Sequence, residues 1–207
     1  MEIKYLGGNC IKIVTKKISI ITDDKINVSN KPVATDKDIV LLTQPTDTES
    51  KHYFLIDGPG EYEVSDISVR GVPAQSHIDQ KGTHASTMYR VIVDEFRLAI
   101  VGHIYPELSE DQLEDLGTVD ILIIPVGGNG STLDGLGAQK VIRAIEPKIV
   151  IPTHYDDGRT EYEVPQADLE AALTALSMEP SETLDSLKLK SAEFLGETTR
   201  LIVIEPK

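Results

Sequence analysis

Short β-branched runs, separated by polar or glycine turns, fill the first hundred residues. Residues 3–6, 11–14 and 18–21 come first, with Lys16 and Lys17 at one hairpin turn. Residues 39–42, 53–56, 67–70, 88–93 and 96–101 continue the series, and Asp94 and Glu95 mark a tight turn between antiparallel neighbours. Residues 27–36 are the most loop-like stretch and are too short to divide domains. Then the rhythm changes. Ser109 opens a short helix as its N-cap, with Gln112 at the capping-box position. Residues 121–125 form a continuous apolar strand, and 133–145 have helical spacing with Leu136, Val141, Ile142 and Ile145 on one apolar face. Residues 148–151 make another buried strand, 166–176 an Ala/Leu-rich helix after Pro165, and 201–204 a last strand. Strands early and strand–helix alternation late predict a mixed α/β sandwich: two packed sheets with helices outside, in one domain over 1–207.

Composition narrows the classes. The 207 residues suffice for one sizeable core, which must lean on Ile, Val and Leu because tryptophan is absent. Asp and Glu number 34 against 20 Lys and Arg, a formal charge of -14. Such a surface repels phosphate backbones and anionic membranes, so neither nucleic acid nor a membrane is an expected partner. Cys10 is the single cysteine, which excludes an internal disulfide and a thiolate-only zinc site and reads as a small buried residue. The start MEIKYLGGNC lacks the features of a signal peptide, and no apolar stretch nears the ~20 residues that span a bilayer. A cytoplasmic protein is expected, with a homo-oligomer, a protein partner or a small polar ligand open as associations.

The chemistry-bearing residues are dispersed. None of the histidines at 52, 77, 84, 103 and 154 pairs with another at i+2, i+3 or i+4, so no local zinc motif exists. His103 and His154 each follow a predicted strand, where ligand sites in α/β folds gather. The plainer role for any one of them is a bond to a nearby carbonyl. Gly127-Gly128-Asn129-Gly130 reads as a strand–helix turn needing positive φ, and Asp134 opposes an anion at the helix start. Asp57-Gly58-Pro59-Gly60-Glu61 reads as a tight turn. There is no G-x-S-x-G elbow.

Taken together, the stretches MEIKYLGGNCIKI, ITDD, DIVLLT, FLIDGPGEYEVSDISVRGVPA, LSEDQLEDLGTVDILIIPVGG, IEPKIVIPTHY and LKLK resemble the metallo-β-lactamase superfamily. They look most like its small bacterial branch of zinc-dependent hydrolases, related to the ascorbate-6-phosphate lactonase-like enzymes. The resemblance implies a four-layer αββα sandwich with the site on one edge, between the sheets. It also locates departures. The branch's H-x-H-x-D-H ligand positions fall on Gln44, Thr46, Thr48 and Glu49. The histidine of its L-G-H-S-C falls on Gly8, a later histidine falls near His77, and its metal-bridging aspartate falls on His103. Only His154 of the ligand set stands unchanged.

Two zinc ions need several neutral imidazoles and a shared carboxylate at about 2.0–2.2 Å. The substituted set implies that family-type dinuclear hydrolysis is absent, no cofactor is held, and the fold is retained for binding or assembly. The alternative is a rewired hydrolase of lactones or phosphoesters. It would hold one Zn or Fe ion through His77, His103 and His154, with Glu49 or Asp47. A surviving pocket would be rimmed by Thr46, Glu49, His77, His103, Asn129, His154 and Tyr155.

Overall fold

The computed structural model describes residues 1–24, 27–45, 54–77, 79–80 and 82–207. Five strands open the chain: β1 (Glu2–Tyr5), β2 (Ile11–Val14), β3 (Ser19–Thr22), β4 (Ile39–Leu41) and β5 (Phe54–Ile56). An antiparallel meander follows: β6 (Gly60–Val64), β7 (Ile67–Ala74), β8 (Ser86–Val93) and β9 (Phe96–Ile100). Then come α1 (Glu110–Leu116), β10 (Ile121–Pro125), α2 (Gly135–Ile145), β11 (Ile149–Thr153) and α3 (Leu169–Leu176). Strands β12 (Pro180–Leu184), β13 (Leu187–Lys188) and β14 (Arg200–Ile204) finish the chain, with a 3-10 turn at Ala192–Leu195.

Two sheets result, ordered β13-β1-β2-β3-β4-β5 and β12-β14-β11-β10-β9-β8-β7-β6. Their facing side chains form one core, built from Ile3, Ile11 and Ile13 of the first sheet with Val69, Val91 and Leu98 of the second. The expected α/β sandwich is the fold observed. In β1 and β2 burial alternates, as one inward face requires. Strands β10 and β11 are buried at every residue, because both faces of the central parallel strands are covered. Helix α1 packs on β7 and β8, and α2 packs on β10 and α3. Among the described residues no helix is long and apolar enough to cross a membrane.

Local signals act as expected at α1, where Ser109 and Gln112 form both halves of the capping box. Elsewhere the structure corrects the sequence pattern. The helix expected from residue 166 starts at Leu169, capped by the Asp168 side chain on the Ala171 N–H. Gly60 and Glu61, expected in a turn, begin edge strand β6, whose Glu61 and Glu63 point to solvent. Leu136, expected on the buried face of α2, is 60% exposed. At Gly135 an added Cβ would lie 2.5 Å from the Ala172 carbonyl, so α3 crosses at the glycine and turns Leu136 outward.

Candidate functional site

Strands β9, β10 and β11 are mutually parallel, so their C-terminal ends share one edge of the second sheet. The parallel ends of β3 and β4 do the same in the first sheet. Hydrogen bonds join the two sheets there. Thr87 N donates to the Thr43 carbonyl at 2.9 Å, Tyr89 Oη to Leu42 O at 2.7 Å, and His154 N to Gly8 O at 2.8 Å. The approach is close enough to demand glycine at 102. Its φ is +56°, and a Cβ there would lie 2.3 Å from Thr43. His103 follows on that turn and His154 on the turn after β11. His154 is itself left-handed at φ +52°, held there by the bond from its N–H to Gly8.

The two histidines meet directly. Their Nε2 atoms are 3.1 Å apart and their ring planes cross at 86°. The bond belongs to a longer chain whose direction follows from its ends. Gln166 Nε2 donates to the Val164 carbonyl at 2.7 Å, which turns Oε1 toward His154 Nδ1, 3.2 Å away. His154 therefore carries its proton on Nδ1 and accepts at Nε2. His103 supplies that proton from Nε2, leaving Nδ1 to accept from Asn9 Nδ2 at 3.1 Å. Asn9 Oδ1 in turn accepts from the Thr153 hydroxyl at 3.1 Å. Every polar atom of both rings is thereby engaged, with both rings neutral. Their surroundings favour that state. Burial, then the neighbouring His154 and His77, push His103 down to about 3. Burial pushes His154 down to about 4 against the opposing bond to Gln166.

Asp23, just past β3, supports the neighbouring turn. Its carboxylate accepts from Thr43 N at 2.7 Å and from the Thr43 hydroxyl at 2.6 Å. Burial raises it to about 6 despite those bonds. Gln44 follows, half-buried. Thr46, Asp47, Thr48 and Glu49 lie outside the described residues.

His77 is near this pair but makes no hydrogen bond with it. Its ring sits edge-on to Tyr105, centroids 5.8 Å apart, and its Nε2 is buried without a partner. It lines a cavity of about 630 Å³ together with Asn129, Thr132 and Asp134. Burial lowers its pKa, against the pull of Asp134. The 128–130 turn has the positive φ expected of it, and the Asn129 side chain donates to the Pro165 carbonyl. Tyr155, expected on the rim, is instead buried against Tyr5, ring centroids 5.7 Å apart. Cys10 is buried and free, its thiol pushed up by burial.

Two residues that the sequence pattern did not single out complete the site: Asn9 and Gln166. Asn9 carried a signal, for the resemblance sets it at the serine of L-G-H-S-C, next to Gly8. Gln166 carried none beyond its distance of twelve residues from His154.

Among the described residues no three His, Cys, Asp or Glu side chains are grouped to hold a metal ion. Of the positions to which the resemblance assigns ligands, those among the described residues carry Gly8, Gln44, His103 and His154. Two imidazoles bonded to each other, with no carboxylate between them, do not fit a dinuclear centre.

Comparisons with known proteins converge on one family. The model described as the beta-lactamase superfamily domain matches residues 2–154. A UPF0173 protein of Pyrococcus abyssi is 26% identical over 178 residues, covering 75% of this chain and 83% of its own. A UPF0173 metal-dependent hydrolase of Carboxydothermus hydrogenoformans is 43% identical over 44 residues, 21% of this chain and 19% of that one. The fold is similar to that of a candidate Zn-dependent hydrolase of the metallo-β-lactamase superfamily from Thermotoga maritima. The TM-score is 0.77 at 21% identity, over 99% of this chain and 98% of that one.

Proposed function

This chain belongs to the beta-lactamase superfamily, and from that premise we propose that it has kept the fold while giving up the dinuclear hydrolytic centre, and serves in binding or assembly. One observation carries the reading. The hydrogen-bond chain Thr153–Asn9–His103–His154–Gln166 engages the ring lone pairs with which His103 and His154 would hold an ion. A metal ligand needs a free imidazole lone pair. Substitution at the bridging position supports it too. A neutral imidazole has one free lone pair and cannot share two ions as a carboxylate does.

A second reading has its own support. Two imidazoles on one ion, each nitrogen at about 2.0–2.1 Å, would lie at a separation similar to that of His103 and His154. Together with the unpartnered His77 Nε2, this favours a single-metal site as the alternative. Elemental mass spectrometry decides between them, on tag-free protein expressed with added zinc, iron and manganese. Near-zero metal is the expected result. About one tightly held ion per chain, lost on His103→Ala, would overturn the proposal in favour of the alternative.

A further inference from the structure

We propose that the cavity between the 127–134 turn, the exposed face of α2 and His77 binds a small hydroxyl-bearing organic oxyanion. Lys140 and Arg143 take its charge, and Thr132 and His77 hydrogen-bond its body. The proposal rests on the reading that this edge of the fold is kept for binding, and it names the ligand class.

The size is suitable. About 630 Å³ falls within the range of about 300–1,000 Å³ of small-molecule sites. The wall carries unmet hydrogen-bonding capacity. Among the described residues three buried side-chain polar atoms lack a partner: His77 Nε2, Thr132 Oγ1 and Arg90 Nε. Two of those three residues line this one cavity. Native structures rarely leave such atoms orphaned, and Thr132 is only 1% exposed, so bulk water does not supply the partner. A small side-chain movement toward a ligand would meet both needs.

The charge has a direction as well. Lys140 and Arg143 are three residues apart on α2, hence on one face, and both line the cavity. Neither is in an ion pair among the described residues. In a chain of formal charge -14, two unpaired cations on one cavity wall attract an anion against the general field. Asp134 lines the same cavity, but its Oδ1 accepts from Gly137 N at 2.7 Å, partly neutralised by the helix start. That carboxylate disfavours a bare anion near it and suits a ligand hydroxyl. Leu136, exposed at the rim, and Pro106 offer apolar contact to a carbon skeleton. A compact anion bearing a hydroxyl satisfies all of these groups; an inorganic ion satisfies only the two cations.

The test is an amide-resolved NMR titration of EDTA-dialysed protein with sn-glycerol 3-phosphate, and separately with lactate, to tell a phosphate head from a carboxylate. Orthophosphate serves as the bare-ion control. Saturable shifts confined to residues 128–143 and His77 are expected with one hydroxyl-bearing probe, which should bind more tightly than orthophosphate. Lys140→Gln and Arg143→Gln, both at exposed positions, should each weaken that probe about tenfold. Absence of saturable shifts with both organic probes would overturn the proposal, as would binding unchanged in the double variant. Because the protein is metal-free, these outcomes are independent of the metal measurement. A resident ion would overturn the functional reading, whereas a silent titration in metal-free protein would overturn only this inference.

Discussion

His103 and His154 face each other through their Nε2 atoms at 3.1 Å, across ring planes 86° apart. One ring must donate and the other accept: a proton on His154 Nε2 would face the His103 N–H, and a proton on His103 Nδ1 would face the Asn9 amide N–H. The pair therefore ties the ends of β9 and β11 together as a neutral unit, and Asn9 extends that tie to the first sheet.

The tautomers are determined by this arrangement. ¹⁵N-resolved imidazole spectra should show His103 protonated at Nε2 and His154 at Nδ1, with neither ring titrating above about pH 5. Their depressed values, about 3 and about 4, place any change below that. A midpoint near 6.5 for either ring would contradict the chain.

Removing Asn9 strands two buried partners, the Thr153 hydroxyl and His103 Nδ1. Asn9→Ala should cost about 1–3 kcal/mol for each group left unsatisfied, read from urea midpoints at unchanged slope. Asn9→Asp should act differently. A carboxylate only accepts, so it should draw a proton onto His103 Nδ1 and raise that ring's pKa, visible in the same imidazole spectra. A neutral effect of Asn9→Ala on stability would count against the network.

Acid should destabilise the fold over a defined window. The two imidazoles have folded values below the ordinary 6.5, so as pH falls below about 6.5 the unfolded chain binds protons that the native one refuses. Asp23 works in the opposite sense. Its folded value of about 6 exceeds the ordinary ~3.9, so its contribution is complete below about 3.9 and is lost as pH rises through about 6. Two groups outweigh one, and Tm should fall between about pH 6.5 and about pH 4. A Tm that rises across that interval would show that Asp23 dominates.

A separate polar cluster holds the far end of the second sheet. Fully buried Asp120 receives Arg97 Nε and Nη2, both at 2.9 Å, and the Arg97 N–H at 3.0 Å, with Lys148 Nζ at 3.2 Å. Burial raises the carboxyl, but these bonds outweigh it and hold its pKa below the ordinary range. Asp120→Ala leaves the half-buried Arg97 N–H and the ends of two partly exposed cations without partners. A loss of about 3 kcal/mol is expected, measured by denaturant unfolding. Asp120→Asn should recover part of it, because an amide oxygen still accepts from the Arg97 N–H.

What could be read ahead of the structure was whatever depends on neighbours in sequence. The alternation in β1 and β2, the continuous apolar runs of β10 and β11, and the Ser109 capping box are all short-range patterns. The resemblance extended this to the sandwich and to an expectation of departures at Gly8, Gln44 and His103. Strands without such a pattern stayed hidden. Pro180–Leu184 is nearly all exposed and is a strand only because it pairs with β14. Leu136 misled because helical periodicity cannot register that α3 crosses α2 at Gly135.

The sequence by itself determined the layer architecture and the strands whose ends carry His103 and His154. Only the tertiary structure decided what His103 and His154 meet. Asn9 and His103 are 94 residues apart, His103 and His154 51, and Asn9 and Thr153 144. Their meeting depends on where two sheets bring their edges together, and hydrogen bonds act over about 3 Å, a scale on which separation along the chain carries no information.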